Sequence, residues 1–578
     1  MRNKLFILIC LSTMVVSCEV LDQPPLDKIS NDQYWKTPSD LENYMYQFYP
    51  SFPTYRSISN NVLGTIGRDA VQGSDHQITQ TPVNALNGTQ SIVLSGGNWT
   101  WDNIRGVNIF FENYTKVNAP AENIRQYVGE AHFFKAWYYF EKVRQYGDVP
   151  SYSTSLQLDS KELYNPRTPR TGVVDSILWH LDQAVDKLFP LSSVSGGNNR
   201  LSKEAALLFK SRVALFEGSW QKYHAGTAFG SIGGDPKKYF TQAAQAAAEL
   251  MKPGKYKVGI TGTSADDYSR LFSSTNLSGN NEIILWAKFD KNLNTLSHNF
   301  QQSVTAYTNP ISVTYELIQN YLGKDGKFYD YAGLAKVKKG SAFLDEIGSA
   351  CDPRLKQVVW VPGQTMWDNS AGKSVFSKPF LDLSNSSGFQ LHKGADPKDP
   401  TAGGAQGFST ACETGAVIFR YAEALLNYAE AKSELGEVVD YSVSLNLLRK
   451  RAGMPDFTVQ SDPNRAKYAN FGYSLTDELY EIRRERAVEL ACEGFRYDDW
   501  RRWRAHALFT GKRPLGFPFL QSEYAANLVV PTNADGLVDP FKTNLPAGYN
   551  FNAGRDYLES IPTNELTLNP NLKQNPGW

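Results

Sequence analysis

The chain has 578 residues, of which 41% are hydrophobic and 20% charged, and this composition excludes a disordered or collagen-like protein. Lysine plus arginine and aspartate plus glutamate both total 59, so the formal net charge is zero. Without a long-range field to gather nucleic acid, we expect no nucleic-acid partner. Aromatic residues make up 13%, and a minority of them exposed in a cleft would form a stacking surface.

Residues 1–17 are predicted to be a signal peptide. Arg2 and Lys4 precede a short apolar run, residues 5–11 (LFILICL), which is too short to span a bilayer. Small and apolar residues then lead into Cys18, as in the lipobox of bacterial lipoproteins. We expect Cys18 to be acylated as the first mature residue and to hold the protein on a membrane. The alternative is a plain secretory signal with a chance cysteine.

The body of the chain keeps three cysteines, Cys351, Cys412 and Cys492. Their odd number and wide spacing predict neither a disulfide framework nor a zinc site. We expect no metal and no other cofactor.

Helical patterns follow the leader in chain order. Apolar spacing of three to five residues, with Gly and Pro at the ends, predicts helices over 123–146, 173–188, 202–220, 236–251, 417–435, 441–451 and 475–493. Short loops join these helices in pairs, and alanines lie where a neighbour must pack closely. This is typical of tetratricopeptide-like helical hairpins, here over about 123–252 and 415–505.

Two other stretches, about 60–105 and 254–414, are rich in Gly, Ser, Asn, Pro and Asp. Loops this long in a compact protein are usually functional. We therefore predict a single domain over 18–578, dominated by α-helix, with a loop-rich part that faces the ligand and few short strands.

The stretch from Glu481 to Arg504 could be mistaken for a nucleic-acid patch. Its seven arginines and six acids nearly cancel, and Glu481, Glu485, Glu489 and Glu493 repeat at intervals of four. This spacing favours ion pairs within and between helices.

Enzyme motifs such as G-x-S-x-G and H-E-x-x-H are absent from the sequence. We predict that the protein is not an enzyme and has no catalytic residue. A pair of carboxylates that meet only in space, as in a glycoside hydrolase, stays open as an alternative.

Six blocks of sequence occur in a fixed order along the chain. They are the segment around Cys18 to Trp35, AHFFKAWYYFEKVRQYGDVP (131–150), RLSKEAALLFKSRVALFEG (200–218), FRYAEALLNYAEAKSELG with LNLLRKRAGMP (419–436 and 445–455), RRERAVELACEGFRYDDWRRW (483–503) and the ending YLESIPTNELTLNPNLKQNPGW (557–578). Together they resemble the SusD/RagB-like nutrient-uptake lipoproteins of Bacteroidetes.

The resemblance implies an α-helical domain of four tetratricopeptide-like hairpins on the outer membrane. It also implies a partner, a SusC-like TonB-dependent transporter that the protein would cap. Most relatives bind glycans and some handle peptides. We expect a surface glycan-binding lipoprotein that delivers its ligand to that transporter. The alternatives are a RagB-like peptide-binding subunit, a lipid-anchored glycoside hydrolase and a bare tetratricopeptide adaptor.

A sugar site needs flat aromatic faces with Asn, Asp or Arg to pair its hydroxyls. Trp99 and Asn98 follow two glycines in a loop, whereas Trp101 shares a helical face with apolar residues and is expected in the core. The ligand-binding candidates are Trp99, Asn98, Arg68, Asp69 and Asp75. Tyr307, Trp360 and Trp367 join them from the later loop-rich region, which in relatives contributes to the same site.

Overall fold

The computed structural model describes residues 34–55, 64–262, 266–293, 298–305, 311–370, 372–381, 385–403, 411–463 and 465–578. The predicted signal peptide, Cys18 and Tyr307 lie outside these residues. Within these ranges no helix is both long enough and apolar enough to cross a bilayer.

Helices dominate the described residues, as predicted. In chain order they are α1 (Pro38–Tyr46), α2 (Arg68–Gln72), α3 (Asn84–Asn87), α4 (Asp102–Asn113), α5 (Ala121–Tyr146), α6 (Arg170–Lys187), α7 (Lys203–Tyr223), α8 (Pro236–Leu250), α9 (Asp267–Ser273), α10 (Phe300–Thr305), α11 (Tyr315–Ile318), α12 (Tyr331–Val337), α13 (Gly340–Ala350), α14 (Leu355–Val358), α15 (Tyr421–Leu435), α16 (Leu445–Ala452), α17 (Arg465–Tyr468), α18 (Asp477–Glu489), α19 (Arg496–Arg502) and α20 (Thr563–Leu568).

The strands are few and short, also as predicted. They are β1 (Gln77–Ile78), β2 (Ile283–Ala287), β3 (Ser312–Val313), β4 (Thr365–Asn369), β5 (Gly372–Val375), β6 (Phe389–Gln390) and β7 (Ala416–Arg420). All pair antiparallel. They form a three-stranded sheet, β1-β3-β6, and two two-stranded sheets, β2-β7 and β4-β5.

The long helices stack in sequence order. Helix α5 packs on α6, α6 on α7, and α7 on α8; α15 then packs on α8 and α18 on α15. The ends agree with the sequence signals: the Ser202 hydroxyl accepts a hydrogen bond from the Ala205 N–H at the start of α7, and Gly436, with φ +71°, ends α15. This order places consecutive hairpins side by side.

The prediction of helix over 417–420 is wrong. These residues form most of strand β7, in which Phe419 pairs with Leu285 and Val417 with Trp286 of β2. The run Val417-Ile418-Phe419 is β-branched and aromatic, so it fits a buried strand once a partner strand is present. The partner lies more than a hundred residues earlier, and therefore the local periodicity did not reveal it.

The predicted loop-rich part, 254–414, holds short helices and strands around its own apolar core. One hydrophobic cluster fills the stacked helices and a second fills this part, and β2, β7 and α18 contribute side chains to both. Helix α18 ends at Glu489, four residues before the predicted end at 493, and the chain turns through Cys492 with φ 63°. Cys351, Cys412 and Cys492 are free and buried.

A buried group of charges, here called the seam network, joins the two clusters. Its members are the acids Glu282, Asp352, Glu485, Glu489 and Glu493 and the bases Arg354, Lys393, Arg420, Arg449 and Arg451. Glu489 is its centre, with contacts to Arg354, Arg420 and Arg451. The prediction that the arginines and glutamates of the 481–504 stretch serve ion pairs is confirmed.

Candidate functional site

A cleft of about 810 Å³ lies at the loop-rich side of the molecule. Three segments far apart in sequence line it: 315–336, 462–468 and 508–539. We call it the tyrosine cleft after its aromatic members, which are Tyr315, Tyr321, Phe328, Tyr329, Tyr331 and Tyr468. Its volume lies in the range of about 300–1,000 Å³ that is usual for ligand pockets.

The three-stranded sheet β1-β3-β6 positions the floor of the cleft. Strand β3 leads into Thr314, whose hydroxyl donates to the Asp75 carbonyl over 2.6 Å. The same hydroxyl accepts from the Leu317 N–H and starts α11. Tyr315 then donates its N–H to the Leu515 carbonyl over 2.8 Å. The cleft floor is thus tied to both the N-terminal loop and the C-terminal coil.

The turn at Gly326 and helix α12 form one wall of the cleft. Gly326, with φ +78°, turns the chain back so that the Gly323 N–H donates to the Lys327 carbonyl over 2.9 Å. The Asp330 carboxylate accepts from the Gly333 N–H over 2.9 Å and begins α12. Between turn and helix, the backbone presents Phe328 and Tyr329 to the cleft.

The aromatic rings differ in how far they are covered. Tyr321 and Tyr331 are buried, and the Tyr331 hydroxyl donates to the Tyr321 carbonyl over 2.9 Å. Tyr329 is half-buried and meets Tyr331 edge to face at 5.0 Å. Phe328 and Tyr468 are also half-buried. Tyr329 and Tyr468, which come from different segments of the chain, are therefore two rings that can give part of a face to a ligand.

Two tyrosine hydroxyls of the cleft lining, those of Tyr315 and Tyr321, have no hydrogen-bond partner among the described residues. Tyr315 is 5% exposed, and its hydroxyl makes no hydrogen bond to any described residue. Burial first, and then the nearby carboxyls of Glu316, Asp330 and Asp535, raise the pKa of Tyr315. The hydroxyl therefore stays protonated at neutral pH.

The charges of the cleft almost cancel. The lining holds the acids Glu316, Asp330, Asp462, Asp535 and Asp539 and the bases Lys336, Lys467, Lys512 and Arg513. Burial raises the pKa of Glu316 to about 8, so at neutral pH it is mostly uncharged and four acids face four bases. Arg513 is occupied by Asp539, with N–O distances of 2.9 Å.

The sequence prediction for Trp99 is contradicted. Its side chain is 5% exposed and packs edge to face on Tyr146 at 4.8 Å and on Trp101 at 5.5 Å. Asn98 is exposed, but its carbonyl accepts a hydrogen bond from Lys142. Trp101, expected in the core, is half-buried and lies under the Lys142 ammonium. A buried ring cannot offer its face to a sugar.

Arg68, Asp69 and Asp75 serve the fold in the structure. Asp75 is buried and forms a bidentate ion pair with Arg496, with N–O distances of 2.7 Å. Asp69 is buried and accepts from the backbone N–H groups of Gly494 and Tyr497, at the start of α19. Burial raises the pKa of Asp69 to about 7. Arg68 donates to Gln72 within α2. None of the three lines the tyrosine cleft.

The later tryptophans are also in the core, against prediction. Trp360 is fully buried, donates its indole N–H to the Val304 carbonyl over 3.1 Å and stacks on His392 at 3.9 Å. Trp367 is 9% exposed and lies against the backbone at Gly403. Of the predicted aromatics, Tyr307 alone lies outside the described residues.

The cleft residues gave only a faint signal in the sequence. The run GKDGKFYDY, residues 323–331, combines a turn with three aromatic residues, which is the pattern expected of a loop that presents rings. Tyr468 and the 508–539 coil carry no such mark. Their role depends on the tertiary fold.

Two family models match different parts of the chain. The sequence model of the SusD family matches residues 281–578, just over half of the chain, and a second, described as starch-binding and associating with the outer membrane, matches residues 47–215. The chain belongs to the SusD family. The resemblance inferred from the sequence blocks is therefore confirmed.

Two curated relatives come from Formosa agariphila. SusD-like protein P2 is 23% identical over the full length of both chains, and SusD-like protein P38 is 26% identical over 37% of this chain and 42% of its own length. Both are remote relatives.

Solved structures of SusD-like proteins share the fold. One from Bacteroides fragilis has a TM-score of 0.69 at 22% identity and covers 96% of this chain and all of its own. A SusD-like carbohydrate-binding protein of the same species has a TM-score of 0.70 at 20% identity, with 93% and 100% covered. A laminarin-binding SusD-like protein has a TM-score of 0.54 at 16% identity, with 94% and 100% covered.

SusD-like proteins are binding proteins and not enzymes, which agrees with the prediction that this chain catalyses no reaction.

Proposed function

We propose that this SusD-family protein captures a glycan in the tyrosine cleft at the cell surface and hands it to a SusC-like TonB-dependent transporter. The observation that carries the proposal is the cleft of about 810 Å³, in which tyrosine rings alternate with carboxyl, amide and ammonium groups. Sugars need both kinds of partner, because each ring has apolar C–H faces and a rim of hydroxyls.

The two half-buried tyrosines would hold the sugar faces. Tyr329 and Tyr468 each offer a half-buried ring, and an aromatic contact contributes about 0.5–1.5 kcal/mol beyond burial. Gln319 and Asn533, both half-buried, would pair sugar hydroxyls. A few such contacts give Kd values in the millimolar to micromolar range, which suits a protein that must release its ligand.

The relatives support the same direction. One structural neighbour is described as carbohydrate-binding and another as laminarin-binding, and the model matched by residues 47–215 is described as starch-binding. Laminarin and starch are therefore the first polysaccharides to test.

Lipid anchoring and delivery complete the proposal. Cys18 would carry the acyl chains, and two or more chains hold a protein on a membrane without any spanning helix. Intact mass measurement of the mature protein should show a diacylated or triacylated N-terminal cysteine, and Cys18→Ala should release the protein from membranes. Recovery of a soluble, unmodified wild type would contradict the anchor. Purification in mild detergent tests whether a TonB-dependent transporter accompanies it.

The binding test uses affinity gels and calorimetry with laminarin, starch, xylan and mannan. We expect at least one polysaccharide to retard the protein, and Tyr329→Ala and Tyr468→Ala to weaken binding about two- to tenfold each, as expected for one aromatic contact. Tyr164→Ala is the matched control, because Tyr164 is 53% exposed and does not line the cleft.

Other outcomes would point to the alternatives. Binding of peptides but of no polysaccharide would favour a RagB-like peptide-binding subunit. Release of reducing sugar at enzymatic rates would favour a glycoside hydrolase. Polysaccharide binding that survives both cleft substitutions would place the site elsewhere on the surface.

A further inference from the structure

Large apolar side chains are exposed together on one part of the surface. The described part of the chain has 18 exposed large hydrophobic residues, and single residues of this kind are normal on a soluble protein. Seven of the 18, however, come from three segments that lie side by side. We call these seven the apolar patch: Ile92, Val93, Leu94, Leu158, Leu163, Tyr164 and Leu568.

Hydrogen bonds hold the three segments against one another. The Thr563 N–H donates to the Val93 carbonyl over 3.0 Å, at the start of α20. Just beyond the other end of α20, which carries Leu568, the side-chain amide of Asn569 donates to the Leu163 carbonyl over 3.0 Å. The exposed apolar surface is therefore contiguous and held in a fixed arrangement, as at an interaction site.

The composition of the apolar patch favours lipid over a protein partner. Six of its seven side chains are Ile, Val or Leu, and none is Trp or Arg. Hot spots of protein interfaces are rich in Trp, Tyr and Arg and poor in Leu and Val, whereas Leu-rich faces are typical of proteins that lie in a bilayer surface.

The charges beside the apolar patch nearly cancel. They are Asp159, Glu162 and Glu565 against Lys161 and Lys573. A strongly basic rim would attract anionic lipid, and this rim is not basic. Attachment would therefore depend on the apolar area and not on the charge of the lipid.

The start of the described chain lies beside the same helix as the patch. Helix α4 has 12 residues and is about 18 Å long. Toward its end, the Phe110 ring packs on Trp35, with ring centroids 6.2 Å apart. In its first turn, the Arg105 guanidinium donates to the Leu156 carbonyl over 3.2 Å, and Leu158 follows two residues later, 99% exposed. Chain entry and patch are thus about one short helix apart.

We infer that the apolar patch lies on the surface of the lipid bilayer and holds the anchored protein in one orientation. This inference goes beyond the proposed function and rests on it only for the anchor. The 16 residues from 18 to 33 can span at most about 55 Å, so an acylated Cys18 keeps this side of the body within reach of the bilayer. The aliphatic side chains then enter the boundary between headgroups and acyl chains, about 5–10 Å deep. A tether alone leaves the body free to turn, and the second contact fixes the direction in which the tyrosine cleft faces.

Vesicle flotation of the unacylated chain tests the inference. The mature chain with Cys18→Ala is mixed with vesicles of phosphatidylcholine and phosphatidylethanolamine, with or without phosphatidylglycerol. We expect it to float with both kinds of vesicle, at low and at high salt alike. The combined variant Leu94→Ser, Leu158→Ser and Leu568→Ser should lower the vesicle-bound fraction at least tenfold. Its circular dichroism should match the parent chain, because all three side chains are exposed.

The matched control changes three exposed valines outside the patch. Val337, Val438 and Val529 are 78%, 88% and 87% exposed. Replacing all three with Ser removes a similar apolar area, and we expect the vesicle-bound fraction to stay at the level of the parent chain.

A fluorescent label locates the contact. Thr567→Cys places a polarity-sensitive dye on the exposed side of α20, and the cysteines of the body are buried and should not react. We expect the emission of this label to shift to the blue on vesicles. The same dye at Ser442→Cys, exposed on another loop, should not shift.

The outcomes separate this inference from the proposed function. No flotation of the unacylated chain, flotation only with anionic lipid, or equal loss in both triple variants would overturn the inference. A dimer or a transporter complex that the patch variant abolishes, without vesicle binding by the parent chain, would assign the patch to a protein and overturn it as well. Failure of acylation or of polysaccharide binding would contradict the proposed function alone, because the flotation test uses neither.

Discussion

Glu489, at the centre of the seam network, allows a quantitative prediction. Its carboxylate is fully buried and contacts Arg354 at 2.9 Å, Arg420 at 2.7 Å and Arg451. Glu489→Gln keeps the shape of the side chain and removes one negative charge. The seam network then has four acids and five bases, and one cation is left buried without compensation.

The size of the effect follows from two opposing contributions. Each charge pair about 4 Å apart contributes about 4 kcal/mol of attraction at an effective dielectric constant near 20, so three lost pairs amount to about 12 kcal/mol. A neutral glutamine amide costs several kcal/mol less to bury than a carboxylate, and this difference offsets part of the loss. The amide also keeps some of the hydrogen bonds. We expect a net loss of about 3–5 kcal/mol in the free energy of unfolding, as for other broken buried pairs.

Urea unfolding followed by circular dichroism measures this loss. The control is Glu122→Gln. The Glu122 side chain is 66% exposed and forms an ion pair with Arg125 at 3.4 Å. A surface pair of this kind contributes about 0–1 kcal/mol. The three arginines hold the pKa of Glu489 well below its ordinary value against the effect of burial. A carboxylate with a lowered pKa stabilises the fold above about pH 4.5, so the difference between wild type and Glu489→Gln should shrink below that pH. A loss under about 1 kcal/mol at pH 7 would refute the role given to Glu489.

Two further predictions concern α5 and its neighbours. Trp99→Ala should lower the free energy of unfolding by about 3–5 kcal/mol through lost packing on Tyr146, yet leave glycan affinity unchanged, which calorimetry on the folded fraction can check. If Trp99→Ala instead loses as much glycan affinity as Tyr329→Ala or Tyr468→Ala, Trp99 is a ligand contact. Burial of Lys135 lowers the pKa of its ammonium to about 7. The unfolded state therefore binds more protons between about pH 7 and 10, and stability should rise with pH there by up to about 1.4 kcal/mol per pH unit. Thermal melts of Lys135→Met should lack this rise, and an identical pH profile in both proteins would show that Lys135 is charged in the fold.

Local sequence signals were sufficient for the long helices. The starts of α7 and α8 lie within a residue of their prediction because Ser202 and Pro236 mark them locally. Strand β7 could not be predicted in this way, because residues 417–420 become a strand only through pairing with β2. Element type was therefore predictable where the deciding interaction lies within a few residues.

The binding residues illustrate the same limit. Trp99 has two glycines before it and no helical partners, so its sequence context indicated exposure; the structure covers it with Tyr146 and Trp101. The cleft instead draws Tyr329 and Tyr468 from segments about 140 residues apart, and a third wall from the C-terminal coil. No periodicity links these positions, so the cleft appears only when the fold brings them together.

The seam network also constrains the order in which the chain can reach its native state. Its members come from 282, 352–354, 393, 420, 449–451 and 485–493. The contacts of the earlier arginines with Glu489, and of Lys393 with Glu493, can therefore form only after this last stretch has left the ribosome. Until then the seven earlier members, two acids and five bases, lack the full set of partners that their burial requires, which opposes early closure of the loop-rich part. The two cores of a chain that closes late should then consolidate in one step.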